Sequence, residues 1–125
     1  PLKFAAIGLD HRHIYDQTKS LLDTGAQCVG FWSNDDSQPL PGFMERFSQI
    51  PRVKDRARLI EDESIQLVAC AAVPNVRAAL AVEAMRHGKD VLLDKPGVTS
   101  EEQLQQLSAQ AAGNSEHWYC YRINR

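Results

Sequence analysis

The sequence has few cysteines, few aromatic residues and no excess of either charge. Its 125 residues include three cysteines without CxxC spacing, 14 basic and 16 acidic side chains, and only 7% aromatic residues. Cys28, Cys70 and Cys120 each lie in an apolar run, which favours buried thiols in a reducing compartment over a disulfide framework or a zinc site. We therefore expect a cytoplasmic protein.

Two further absences argue against whole classes of partner. The net charge of −2 and the lack of a lysine or arginine cluster give no electrostatic reason to expect nucleic acid. No apolar stretch is long enough to span a bilayer, and charged residues flank the short apolar run near the beginning of the sequence, unlike an export signal. Neither nucleic-acid nor membrane binding is expected.

Apolar runs alternate with helical patterns along the chain. Strands are predicted at residues 3–8, 27–32, 65–72, 90–94 and 117–121, with a brief one at "RVKD"; helices are predicted at 13–23, 43–48, 57–61, from 74 to about 88, and from 99 onward. The run "IQLVACAA" is continuously apolar, which indicates a strand covered on both faces. The prediction is an α/β fold, a doubly wound parallel sheet forming one domain over residues 1–125.

In an open α/β sheet, ligands bind outside the carboxyl ends of the strands. Pro96 disfavours helical geometry at Lys95 and cannot donate a sheet hydrogen bond, so the fourth strand should stop there and hold Lys95 extended. Lys95 is then either a cation that meets a ligand oxygen or a solvated lysine at a strand end. The candidate binding residues at the five strand ends are Gly8, Leu9, Asp10, His11, Arg12, Ser33, Asn34, Ala72, Val73, Asn75, Asp94, Lys95, Pro96, Tyr121 and Arg122.

Three segments together resemble a known family. "GKDVLLDKPGVTSEEQL" is similar to the strand ending in Glu-Lys-Pro, and the helix behind it, in the N-terminal domain of the Gfo/Idh/MocA oxidoreductases. "IQLVACAAVPNVRAALAVEAMRHGKD" resembles the preceding strand and alanine-rich helix of that family, and "LKFAAIGLDH" its first strand and glycine turn. The resemblance covers essentially the whole chain and implies a Rossmann-type dinucleotide-binding domain, with the family's C-terminal α/β domain absent.

The resemblance implies NAD or NADP as cofactor and hydride transfer on a sugar-like, polyol or sugar-acid substrate. It makes Lys95 the catalytic residue, near the nicotinamide ribose and the substrate, with a Lys95–Pro96 bond that is a candidate for the cis form. Arg77, Tyr121 and Arg122 are weaker substrate candidates. The missing domain would carry the general acid or base and an oligomer interface, so the 125 residues alone should be inactive.

The phosphate-binding turn departs from the family's GxGxxG pattern. It reads Gly8, Leu9, Asp10, His11, Arg12, His13, so only the first glycine is kept. Asp10 would bring a carboxylate towards an anionic pyrophosphate, unless it turns away or is offset by a neighbouring cation. The alternative makes Asp10 the cap of the first helix, and the two roles are compatible because a pyrophosphate uses the same helix terminus.

The ribose position also departs from the usual pattern. Ser33 stands where NAD enzymes of this fold commonly have an acidic residue. Serine leaves room for a 2′-phosphate, but no arginine follows to pair with one, so NAD and NADP both stay open. Asp35 either reaches the ribose or is a solvated loop acid.

Two other features have a functional and a plain interpretation. Arg77, near a histidine position of the family, either binds an acidic substrate or phosphate or is an ordinary surface arginine in the first turn of a helix. His11 and His13 form an HxH pair, but no acidic or cysteine partner has matching spacing, and a metal site is not predicted.

A second function stays open beside the oxidoreductase. The lost glycines, with Asp10 and His13 in their place, favour a non-catalytic module that senses a nucleotide or sugar or serves as an interaction surface. The Asp94, Lys95, Pro96 turn favours the oxidoreductase, because a scaffold has little use for a lysine fixed at the crevice. The oxidoreductase is the preferred interpretation.

Overall fold

The computed structural model describes residues 1–94 and 118–121, with side chains described up to Leu93. Within these ranges the chain forms five strands and four helices. The strands are β1 (Lys3–Ile7), β2 (Gln27–Trp32), β3 (Leu67–Cys70), β4 (Asp90–Asp94) and β5 (Trp118–Tyr121). The helices are α1 (His13–Asp23), α2 (Leu40–Arg46), α3 (Arg56–Glu61) and α4 (Pro74–Arg86).

The sheet is doubly wound, as predicted. Its order is β2-β1-β3-β4-β5, and β1 to β4 are mutually parallel. Successive residues of β1 face opposite layers: Ala5 and Ile7 pack with residues of α3 and α4, whereas Ala6 packs with Ile14 of α1 and Phe43 of α2. The continuous apolarity of β3 follows from this arrangement, since helices cover both of its faces and all four of its residues are buried.

The last strand differs from the prediction of a parallel sheet. β5 runs antiparallel to β4, with Val91 opposite Tyr121 and Asp94 opposite Trp118. An antiparallel edge strand on an otherwise parallel sheet is common, and a short apolar run carries no information about strand direction. The helix predicted from residue 99 lies outside the described residues.

Several element boundaries also shift. α2 begins at Leu40 rather than residue 43, because Pro39 and Pro41 suit the first turn of a helix. The predicted "RVKD" strand is reduced to one parallel bridge between Arg52 and Phe31, flanked by hydrogen bonds from Phe31 N to Pro51 O (3.0 Å) and from Val53 N to Phe31 O (2.8 Å). This bridge holds residues 51–53 beside the outer edge of β2.

A buried lysine joins the loop before β3 to the start of β4. Lys89 is 3% exposed, and its Nζ donates to the backbone oxygens of Asp62 (2.6 Å) and Ile65 (2.8 Å). Loss of hydration lowers the pKa of Lys89. This contact lies at the amino end of the parallel strands, away from the edge where ligands bind in such folds, and its role is therefore structural. In the described part of the chain, no helix has the length and apolar character needed to cross a membrane.

Candidate functional site

The topological switch point lies between β1 and β3, because the chain leaves β1 towards β2 on one side and later returns to β3 on the other. Gly8 follows β1 at this point. Its amide donates to Trp32 O (2.9 Å) and its carbonyl accepts from Ala71 N (3.0 Å), so this one residue ties the ends of β2 and β3 to the turn.

Glycine is required at position 8 for two reasons. Its φ of +87° lies in the left-handed region, which strains other residues. A side chain would also place its Cβ 2.8 Å from the Cβ of Ala72. The first fingerprint glycine is therefore kept because the turn passes directly against the loop after β3. Leu9, predicted as a cofactor contact, is instead fully buried in the core with Ile14 and Phe43.

Asp10 joins three loops of the crevice. Its Oδ1 accepts a hydrogen bond from Ser37 Oγ (2.6 Å), in the loop after β2, and its Oδ2 accepts one from Val73 N (3.2 Å), in the loop after β3. The capping alternative was wrong, because Arg12 holds the N-cap position of α1 and makes no side-chain capping bond. Hydrogen-bond donors thus engage both oxygens of the carboxylate.

Histidine takes over the capping of α1. The amide of His13 donates to Nδ1 of His11 (3.2 Å), and the two imidazole rings lie 4.1 Å apart. An Nδ1 that accepts this bond places the proton of a neutral His11 on Nε2. His11 and Arg12 are exposed, so both present polar groups at the mouth of the crevice. Among the described residues, no three His, Cys, Asp or Glu side chains come together as a metal site.

The loop after β3 is braced from both sides. Arg77 is 3% exposed, and its Nε donates to Ala72 O (3.0 Å), while Asp10 holds the neighbouring residue Val73. The surface interpretation of Arg77 was therefore wrong: its guanidinium positions the loop. Val73 is 49% exposed and Asn75 is exposed, so these two predicted residues do face solvent beside the switch point.

The ends of β2 and of the 51–53 segment enclose an open pocket of about 560 Å³. Ser33 is 5% exposed and its Oγ donates to Asn34 O (2.8 Å). Arg52 Nη2 lies 3.4 Å from Ser33 O and 2.6 Å from Oδ1 of Asp35. Residues that line the pocket are Trp32, Ser33, Asn34, Asp35, Arg52, Val53 and Lys54.

Arg52 is the residue that sequence reasoning missed. The prediction that no arginine pairs at the ribose position considered only the residues directly after Ser33. Arg52 arrives there from 19 positions later through its bridge to Phe31. The "RVKD" strand prediction was the available signal, but a sequence does not say which sheet edge so short a segment joins.

Lys95, Pro96 and Arg122 lie outside the described residues. Asp94 and Tyr121 lie in β4 and β5, and their backbones pair in the sheet as given above, without described side chains.

The family model "Oxidoreductase family, NAD-binding Rossmann fold" (GFO_IDH_MocA) matches residues 2–120. The chain belongs to the Gfo/Idh/MocA family. A comparison with curated proteins finds no match. The family resemblance carried by the three segments is therefore confirmed, and so are its Rossmann-type fold and an NAD or NADP cofactor.

Solved structures agree with the family model. A proposed oxidoreductase of Erwinia carotovora atroseptica SCRI1043 is 40% identical, with a TM-score of 0.81, and the match covers 86% of this chain and 32% of that one. A 3-ketoreductase of Actinomadura kijaniata, in complex with NADP and TDP-benzene, is 23% identical with a TM-score of 0.67, over 85% and 32% of the two chains.

A dehydrogenase of Thermus thermophilus, in complex with NAD and UDP-GlcNAcA, is 17% identical, with a TM-score of 0.69, and the match covers 86% of this chain and 37% of that one. At such low identity this likeness and that to the ketoreductase show the fold alone. The chain spans about a third of the length of these three structures.

The described residues fit a dinucleotide. Gly8 keeps the turn free of a side chain at the switch point, and the amino end of α1, an 11-residue helix, offers the positive end of its dipole to an anion. Asp10, the residue least compatible with a pyrophosphate, has both carboxylate oxygens engaged by donors. The pocket beyond β2 lies where the adenosine ribose binds in this fold.

Proposed function

We propose that this chain is the cofactor-binding domain of an oxidoreductase that moves hydride between NAD(P) and a sugar-like, polyol or sugar-acid substrate. The observation that carries the proposal is the Gly8 turn, which ties β1 to both neighbouring strands at the switch point and leads into the amino end of α1. Binding of a dinucleotide there orients the nicotinamide, and the cofactor carries the hydride.

The residues of the crevice take distinct roles in this proposal. Gly8, Asp10, His11 and Arg12 surround the pyrophosphate, with Leu9 supporting the turn from the core. The exposed residues Val73 and Asn75 form the opposite wall. Ala72, predicted as a cofactor contact, is 1% exposed and packs against Gly8, so it supports this wall together with Asp10 and Arg77. Ser33 and Asn34 line the ribose end.

The catalytic proposal concerns the residue that follows β4 in sequence. β4 pairs in parallel with β3 and ends at Asp94, on the same edge of the sheet as the Gly8 turn. Lys95 comes next, followed by Pro96, and we assign Lys95 to orient and polarise the reacting oxygen of the substrate. Tyr121 and Arg122, after the antiparallel β5, keep a weaker assignment to substrate.

Two structures of the fold support the substrate class. The Thermus thermophilus dehydrogenase is in complex with NAD and UDP-GlcNAcA, and the Actinomadura kijaniata protein is a 3-ketoreductase in complex with NADP and TDP-benzene.

The test is hydride transfer in the longest natural form of the protein, followed at the nicotinamide absorbance with polyols, sugars and sugar acids. Lys95→Ala should lower kcat about 100-fold or more, the usual cost of removing one positioned group that stabilises charge at the reacting oxygen. Lys19→Ala is the matched control, because Lys19 is an exposed lysine of α1 that pairs with Asp23 four residues on. Equal turnover of the Lys95 variant and wild type would remove Lys95 from the mechanism.

A non-catalytic sensor is the second candidate, favoured by the carboxylate of Asp10 in place of the second fingerprint glycine. It would bind nucleotide saturably and show no hydride transfer with any substrate of the panel. Turnover that depends on Lys95 excludes this alternative.

A further inference from the structure

In the pocket beyond β2, the strand-end position carries no acidic residue, and an arginine reaches this position from a later segment of the chain. Enzymes that use NAD commonly place a carboxylate at the end of the second strand to hold the ribose hydroxyls, and those that use NADP accommodate the 2′-phosphate with a nearby arginine. Here the strand-end position is Ser33, 5% exposed, whose hydroxyl is turned to the neighbouring carbonyl of Asn34.

Arg52 reaches this position along a fixed route. Its backbone is bridged to Phe31 in β2, with hydrogen bonds on both sides of the bridge, so Arg52 lies beside the carboxyl end of that strand. Its Nη2 contacts Ser33 O at 3.4 Å. The side chain is 34% exposed and opens into the pocket that it lines, together with Lys54.

The present partner of Arg52 is easily displaced. Asp35 pairs with Arg52 at 2.6 Å, but the Asp35 side chain is 98% exposed. Exposed ion pairs are weak, because water solvates both partners and the side chains lose freedom when they pair. A phosphate monoester carries more charge than a carboxylate and presents oxygens that match the planar fork of a guanidinium.

We infer that this pocket takes the 2′-phosphate of NADP and that Arg52 is the residue that selects NADP over NAD, with the phosphate replacing Asp35 on its guanidinium. Lys54 adds a second positive charge to the pocket wall. The inference rests on the proposed function, since it requires a dinucleotide laid across the switch point, and it names the form of that dinucleotide.

The electrostatics of the pocket favour the same cofactor. Arg52 and Lys54 contribute two positive charges to its lining, against the one negative charge of Asp35. When NAD binds, its two ribose hydroxyls would not displace Asp35 from Arg52, so Arg52 would add little to the affinity for NAD. With NADP the guanidinium exchanges one anion for a more highly charged one.

Calorimetric titration of the 125-residue chain with NADP⁺ and NAD⁺ at low salt tests the inference. Wild type should bind NADP⁺ at least about tenfold more tightly than NAD⁺, the usual value of one charge-assisted hydrogen-bonded pair. Arg52→Ala should weaken NADP⁺ about 10- to 100-fold and change NAD⁺ less than about twofold. Arg52→Lys, which keeps the charge without the fork, should fall between them.

Two further variants sharpen the test. Asp35→Asn removes the competing carboxylate and should tighten NADP⁺ several-fold, with little effect on NAD⁺. Arg58→Ala is the matched control, because Arg58 is an exposed arginine of α3 that does not line the pocket. It should leave both affinities unchanged.

Three outcomes overturn the inference. Preference for NAD⁺ by wild type, or equal loss of both cofactors in Arg52→Ala, contradicts a 2′-phosphate contact and leaves the proposed oxidoreductase standing. Binding of neither dinucleotide by wild type defeats the proposed function itself. A thermal melt of Arg52→Ala beside Arg58→Ala separates loss of folding from loss of selectivity.

Discussion

Asp10 offers a direct test of how the crevice is assembled. Its carboxylate accepts hydrogen bonds from Ser37 Oγ at 2.6 Å and Val73 N at 3.2 Å, and thereby joins the loops after β1, β2 and β3. Hydrogen bonds to a charged group are worth about 1.5–3 kcal/mol each when buried. Asp10 is half-buried and the bond to Val73 is long, so we expect Asp10→Ala to cost about 2 kcal/mol of unfolding free energy.

Asp10→Asn separates hydrogen bonding from charge. The asparagine oxygen can accept from the Val73 amide while its amino group donates to the Ser37 hydroxyl, because a hydroxyl is both donor and acceptor. This variant should therefore lose about 1 kcal/mol or less. It also removes a negative charge beside the amino end of α1, and we expect it to bind a dinucleotide several-fold more tightly at low salt.

Urea unfolding followed by circular dichroism measures the difference. With a slope of about 1–3 kcal/mol per molar urea, Asp10→Ala should lower the midpoint by about 1 M and Asp10→Asn by half of that or less. A double-mutant cycle with Ser37→Ala should give a coupling of about 1 kcal/mol. Equal destabilisation by Ala and Asn, or no coupling to Ser37, would refute the bridging role of Asp10.

Three other predictions concern the body of the domain. Lys89→Ala should lower the unfolding free energy by about 3 kcal/mol in urea, because one buried and one partly buried carbonyl lose a charged donor, whereas Lys54→Ala, an exposed control, should lower it by less than about 0.5 kcal/mol. Cys28 is partly buried, and loss of hydration raises the pKa of its thiol to about 12. Its alkylation at pH 8 should therefore be slower in the folded than in the urea-unfolded chain, and its contribution to stability should fall as pH rises from about 9 to 12; equal alkylation rates would contradict the raised pKa. Gly42→Ala should destabilise α2, because the new Cβ overlaps the Tyr15 hydroxyl, which donates to Pro39 O (2.8 Å). In a Tyr15→Ala background the same change should stabilise the protein by about 1 kcal/mol, and a stabilising effect in wild type would refute the overlap.

The sequence predicted the architecture because the signals for it are local. The apolar run that contains β3, the glycine after β1 and the proline at the start of α4 each depend on a few neighbouring residues, and the structure has all three. The direction of β5 could not be predicted in this way, because pairing direction depends on the path of the chain between two strands.

The sequence predicted where the site residues lie in the fold, but it did not predict which side chains contact one another. Gly8, Ser33 and Val73 lie at the strand ends where they were expected, because the carboxyl ends of parallel strands share one edge. The partners of Asp10 lie 27 and 63 residues away, and Arg52 reaches Ser33 across 19 residues. Contacts of that range are set by the packing of loops, which leaves no periodic trace in the sequence.

In the proposed function, a dinucleotide lies across the carboxyl edge of β1, β2 and β3. The most direct measurement is an amide chemical-shift titration of the isotopically labelled chain with NADP⁺, with adenosine as the uncharged control. We expect saturable chemical-shift changes concentrated at residues 8–12, 33–35 and 72–73, and no second cluster of residues that saturates with the same affinity. Chemical-shift changes centred on the exposed face of α4 instead, or no changes at any concentration, would contradict binding of the dinucleotide at this edge of the sheet.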